Sequence, residues 1–61
     1  MQSEFASNLQ KQKLAEYERL KGNECMKSKE FGDAITAYSK SIIIFPNEAA
    51  TYSNRALAYI K

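Results

Sequence analysis

Between Phe31 and Pro46 the chain carries the pattern that most restricts its fold. Phe31, Ala34, Ile35, Tyr38, Ile42 and Phe45 recur at steps of three and four, the spacing that gathers side chains on one face of an α-helix. Asp33, Thr36, Ser39 and Lys40 fall mainly off that stripe. Taken alone, the β-branched run Ile42-Ile43-Ile44 also suits a short strand, but the helical period leading into it outweighs that option. Pro46 then stops the segment, because its ring clashes with the preceding turn and it has no N–H to donate.

The same reading divides the chain into three helical segments, an all-α fold. The first runs from about Asn8 to Ser28, with Ser7 and Gln10 as a capping box, or begins a turn earlier at Ser3. Residues before Asn8 are expected to fray. A second helix spans about Phe31 to Phe45. The third, Glu48 to Lys61, has Asn47 as its cap and sets Tyr52, Ala56 and Tyr59 on one side. No Gly/Ser linker, proline-rich tract or low-complexity run interrupts the sequence. The third helix ends without a stop signal and reads as cut, the mark of a truncated stacked array.

Composition narrows the function. Sixty-one residues, 44% hydrophobic and 26% charged, suffice for one small folded unit of marginal stability. Nine basic against seven acidic residues leave a net charge of +2, interspersed along the chain, which gives no electrostatic reason to expect nucleic acid or an anionic membrane as partner. The apolar run Ile42 to Phe45 is far short of a membrane span, and no secretory signal opens the chain, so a cytoplasmic location is the simplest expectation. With one cysteine, Cys25, and no histidine, an internal disulfide, a Cys/His metal site and a Cys–His nucleophile pair are all excluded within this chain. Cys25 reads as a buried structural thiol. Neither cofactor nor metal is expected, and the chain does not read as an enzyme.

Gly22, Ala34, Tyr38, Ser41 and Pro46 stand at the spacings of the small, aromatic and proline positions of a tetratricopeptide repeat (TPR), and the chain resembles that family. A shift by the repeat length of about 34 residues carries Gly22 onto Ala56 and Cys25 onto Tyr59. The resemblance covers Ala15 to Lys61. It implies one helix-turn-helix repeat over residues 15–48 and the first helix of a second over 49–61, preceded by an extension of the first helix over 1–14. Gly22 and Ala56 permit close helix approach, Ala34 does the same from the other side, and Phe31, Tyr38 and Tyr59 fill the wider gaps. Glu18 departs from the pattern where an apolar residue is usual, matching Tyr52 in the second unit; Tyr17 or Leu20 is the candidate replacement.

Arg19-Leu20-Lys21-Gly22-Asn23 and Tyr52-Ser53-Asn54-Arg55-Ala56 resemble the strings of co-chaperone TPR domains that hold the extreme C-terminal tails of the seventy- and ninety-kilodalton heat-shock chaperones. By that resemblance Arg19 replaces a lysine of a carboxylate clamp, Asn23 and Asn54 stand for its two asparagines, and Lys61 falls at a further basic contact. The remaining basic residues of such a clamp come from a following repeat, leaving half a clamp here. Helical spacing agrees independently, since Arg19 and Asn23 are four apart on one helix and Asn54 and Lys61 seven apart on another. Amide and cationic N–H donors suit a terminal carboxylate. Two alternatives stand beside the clamp. In one, the segment is a structural scaffold or a self-association module whose third helix exposes Tyr52, Ala56 and Tyr59 to another copy. In the other, catalysis resides elsewhere in a longer chain.

Overall fold

The computed structural model describes residues 4–61, with side chains from Ser7 onward. Helix α1 spans Glu4–Lys27, α2 spans Phe31–Ile44 and α3 spans Ala49–Ile60, and the described residues contain no strand. Helix α2 is central. It packs along α1 and against α3, while α1 and α3 meet only marginally. With α1 about 36 Å long at 1.5 Å per residue, the molecule is a slab of 43 × 17 × 13 Å. Its radius of gyration, 12.2 Å, exceeds the roughly 10.5 Å of a compact chain of this length. Among the described residues no helix is long and apolar enough to cross a membrane.

Each helix boundary has a local cause. α1 begins by Glu4, so Ser7 lies inside it and cannot form the capping box expected with Gln10. Nothing in the sequence Glu4-Phe5-Ala6 breaks a helix; Ser3 lies outside the described residues. α1 ends in a paired carbonyl cap, with Glu30 N–H bonded to the Cys25 carbonyl at 2.8 Å and Lys29 N–H to that of Met26 at 3.1 Å. This is the Schellman arrangement, and it puts Lys29 in the left-handed region at φ 61°, where glycine is the usual occupant. α2 stops at Ile44, one residue short of the expectation. Phe45 turns extended, at φ −145° and ψ 92°, as a residue before proline must. Glu48, not Asn47, occupies the N-cap of α3, and its side chain makes no capping bond.

Small residues build the core. Ala15, Gly22, Ala34, Ala37, Ser41, Thr51 and Ala58 are buried around a single large side chain, Tyr38, which is 1% exposed. Ala34, Tyr38 and Ala58 form its centre, with Cys25, Met26 and Ile35 packed on them. Cys25 is therefore half-buried rather than enclosed. Gly22 owes its identity to Tyr38, for a Cβ there would fall 2.5 Å from Cε1 and 2.7 Å from Cδ1 of the ring. Near the other end of the hairpin, Ser41 Oγ donates to the Ala15 carbonyl at 2.6 Å. That bond lets a polar side chain occupy the interface without a desolvation penalty.

Two expectations about packing change. Neither Tyr17 nor Leu20 supplies the apolar contact missing at Glu18, since both are exposed, and Glu18 itself sits half-buried. On α3 the buried residues are Thr51 and Ala58, with Asn54 and Arg55 half-buried between them. Tyr52, Ala56 and Tyr59 lie about 100° around the helix, one residue's rotation, and are exposed. Tyr59, expected to fill a gap, is 65% exposed.

Candidate functional site

The polar side chains singled out in the sequence separate into a cluster and an outlier. Asn23 lies one turn beyond Arg19 on α1, and Asn54 projects from the half-buried side of α3. They meet: Asn54 Nδ2 donates to Asn23 Oδ1 at 3.3 Å. Asn23 Oδ1 also accepts from Tyr38 Oη at 2.6 Å. One residue from each helix thus enters the same hydrogen-bonded group, seated where α2 brings α1 and α3 together.

Arg19 stands beside this group. Its guanidinium lies 3.9 Å from Glu16 Oε1, a loose pair one turn back along α1. It also lines a cleft of about 360 Å³ with Gln12, Ala15, Glu16, Ser41, Phe45 and Glu48. The charge of Arg19 reaches Tyr38. Burial, and less strongly the neighbouring Cys25, push the Tyr38 phenol above its ordinary range, and Arg19 pulls partly back. Tyr38 is accordingly a protonated donor at neutral pH. Lys61 is the outlier: it follows the last residue of α3, exposed, its backbone N–H bonded to the Leu57 carbonyl at 3.2 Å. It stands about 10.5 Å along the axis from Asn54.

Two participants were not legible as such. Tyr38 reads from periodicity as core, and its second role in bonding Asn23 is signalled only by the rule that a buried tyrosine hydroxyl finds a partner. Arg55 Nη1 donates to Ser39 Oγ at 3.4 Å, and its guanidinium lies 5.8 Å from the centre of the Tyr52 ring. Arg55 thereby ties α3 to α2 beside the asparagines, a role that sequence spacing does not announce. Among the described residues no group of histidine, cysteine, aspartate or glutamate side chains is placed to hold a metal.

A helical hairpin crossing on small residues, a glycine seated under an aromatic ring, a proline after the second helix and a third helix on α2 define the TPR class of architecture. The comparisons agree. The chain is 50% identical over 46 residues to the E3 ubiquitin-protein ligase CHIP of Arabidopsis thaliana, covering 72% of this chain and 16% of the relative. It is 47% identical over 49 residues to the Hsp70-Hsp90 organizing protein of Triticum aestivum, covering 80% and 8%. With the small glutamine-rich tetratricopeptide repeat-containing protein 2 of Mycosarcoma maydis it shares 48% identity over 48 residues, covering 75% and 14%. The chain thus spans between 8% and 16% of the length of these relatives. No family model and no solved structure matches it. By fold and by sequence it is a TPR-type segment, homologous to a part of such proteins.

Proposed function

We propose that this segment is a protein-interaction module that takes part in binding an acidic, carboxylate-terminated peptide tail, with Asn23 and Asn54 as amide donors and Arg19 as the adjacent cation. The observation carrying this reading is the meeting of Asn23 and Asn54 across α1 and α3, with Arg19 one turn before Asn23 on α1. Such donors suit a carboxylate because charge-assisted hydrogen bonds are about twice as strong as neutral ones. Arginine in place of lysine offers a planar fork instead of a point charge, favouring two-point contact with a carboxylate. Relatives that include an Hsp70-Hsp90 organizing protein support such chaperones as partners, and on the clamp reading their C-terminal tails are the ligands. Lys61 would join as a peripheral cation for acidic residues further along the tail. The domain assignment follows the same reading, with residues 15–48 as one repeat and 49–61 opening the next. Calorimetry with an acidic peptide tests it. Asn54→Ala is expected to weaken binding by about ten-fold, and Asn54→Asp, which reverses the donor's sense, to abolish it. Unchanged binding by both variants rejects the assignment.

A second reading is favoured by the outer side of α3. Tyr52, Leu57, Tyr59 and Ile60 are 41%, 51%, 65% and 79% exposed there, apolar surface of the kind that docks another helix. On this reading the chain alone self-associates through α3. Sedimentation should then show dimers that Tyr59→Ser abolishes, and a monomer at tens of micromolar excludes it.

A further inference from the structure

The tyrosine beneath the asparagines has a consequence for which atoms they can offer a ligand. An asparagine amide carries one oxygen with two lone pairs and one NH2 with two protons, fixed in a plane on opposite sides. In Asn23 both lone pairs are engaged from within the molecule, by Tyr38 Oη at 2.6 Å and by Asn54 Nδ2 at 3.3 Å. We infer that Tyr38 is a positioning residue for ligand capture: by occupying the Asn23 oxygen from the buried side, its hydroxyl turns the Asn23 NH2 outward as a donor. This rests on the carboxylate-binding reading above.

Three features hold the arrangement. The Tyr38 ring is 1% exposed and lies so close to Gly22 that not even a methyl group fits between them, so the hydroxyl cannot swing away from Asn23. The phenol is protonated at neutral pH, burial raises its pKa further, and a protonated phenol in this position donates. Rotating the Asn23 amide by half a turn would set its NH2 against the Asn54 NH2, donor facing donor. Phenylalanine would fill the same volume without supplying the hydroxyl, so the inferred role belongs to one atom, Tyr38 Oη. The chemistry of the ligand follows: the outward NH2 selects an acceptor, and a carboxylate oxygen is the strongest common one.

Amide hydrogen exchange in the ligand-free chain reads the orientation directly. With its protons directed outward, the Asn23 NH2 should exchange within about three-fold of a free asparagine amide, and slow when an acidic hexapeptide with a free C-terminal carboxylate is added. Tyr38→Phe keeps the ring and removes the anchor. It should weaken that hexapeptide about five-fold, leave its C-terminally amidated twin unaffected, and retain the helical fold by circular dichroism. If the wild-type chain does not distinguish the two peptides, the carboxylate reading fails, and the exchange rate alone decides the orientation. Protection of the Asn23 NH2 in the free chain overturns the inference, as does an unchanged Tyr38→Phe affinity where the wild type does discriminate.

Discussion

Residue identities here are set by contacts of a few ångströms, and Gly22 is the plainest case. Alanine at that position would gain about 1 kcal/mol of helix propensity but drive a methyl group into the Tyr38 ring. Overpacking of this kind costs about 1–3 kcal/mol, and the ring, held by its bond to Asn23, has little freedom to yield. Gly22→Ala is therefore expected to destabilise the chain by up to about 2 kcal/mol in urea unfolding, against the propensity scale. Lys29 presents the opposite situation. Its left-handed backbone costs a non-glycine residue about 1 kcal/mol or more, so Lys29→Gly should stabilise the chain, by somewhat under 1 kcal/mol after the added freedom of the unfolded chain is deducted. Tyr38 adds a pH dependence. Its folded pKa is raised by burial above the ordinary value of about 10, so as pH rises the unfolded chain loses this proton first. The stabilisation is complete below about pH 10 and is lost as pH climbs through the folded value. Thermal midpoints should fall more steeply above pH 10 in the wild type than in Tyr38→Phe. At this scale the sequence disclosed Gly22 and Tyr38 as packing positions, but not Tyr38 as a hydrogen-bond donor to a residue fifteen positions away. No periodicity encodes a partner on another helix.

Among the elements, α2 was the most legible and α3 the least. The α2 stripe placed Ala34 and Tyr38 in the core, while burial also claimed Ala37 and Ser41, because close crossing with α1 selects small side chains over large apolar ones. α3 has two candidate faces about 100° apart. The aromatic residues mark one, yet the chain buries the other, through Thr51 and Ala58. Hydrophobicity favours Tyr52 and Tyr59, but the narrow approach to α2 admits only small groups. Thr51 is fully buried, and its hydroxyl has no hydrogen-bond partner. A buried hydroxyl left unpaired costs about 1–3 kcal/mol, so Thr51→Val, nearly equal in shape, is expected to stabilise the chain by about 1 kcal/mol in urea unfolding. Tyr59→Ser, on the exposed side, should change monomer stability by less than about 0.5 kcal/mol. The two substitutions together test which side of α3 packs inward.

As a whole the molecule is a thin slab in which one helix holds two others that barely touch, and the asparagine pair sits at the place where they do meet. That arrangement explains why the candidate site was partly readable. Arg19 and Asn23 share a helix, so their proximity follows from spacing; the contact of Asn23 with Asn54 depends on how α3 folds back over α2, which only the family resemblance anticipated. Lys61 shares the resemblance, but the fold leaves it at the far end of α3, apart from the other three. The central claim, that the meeting of Asn23 and Asn54 beside Arg19 serves to bind a terminal carboxylate, is most directly tested by one titration. An acidic hexapeptide, as free acid and as amide, is added to the 15N-labelled chain while the side-chain NH2 resonances of Asn23 and Asn54 are followed. The account predicts that the free acid shifts both resonances and binds at least about ten-fold more tightly than the amide. Equal responses to the two peptides, or shifts that leave both asparagines untouched, would contradict it.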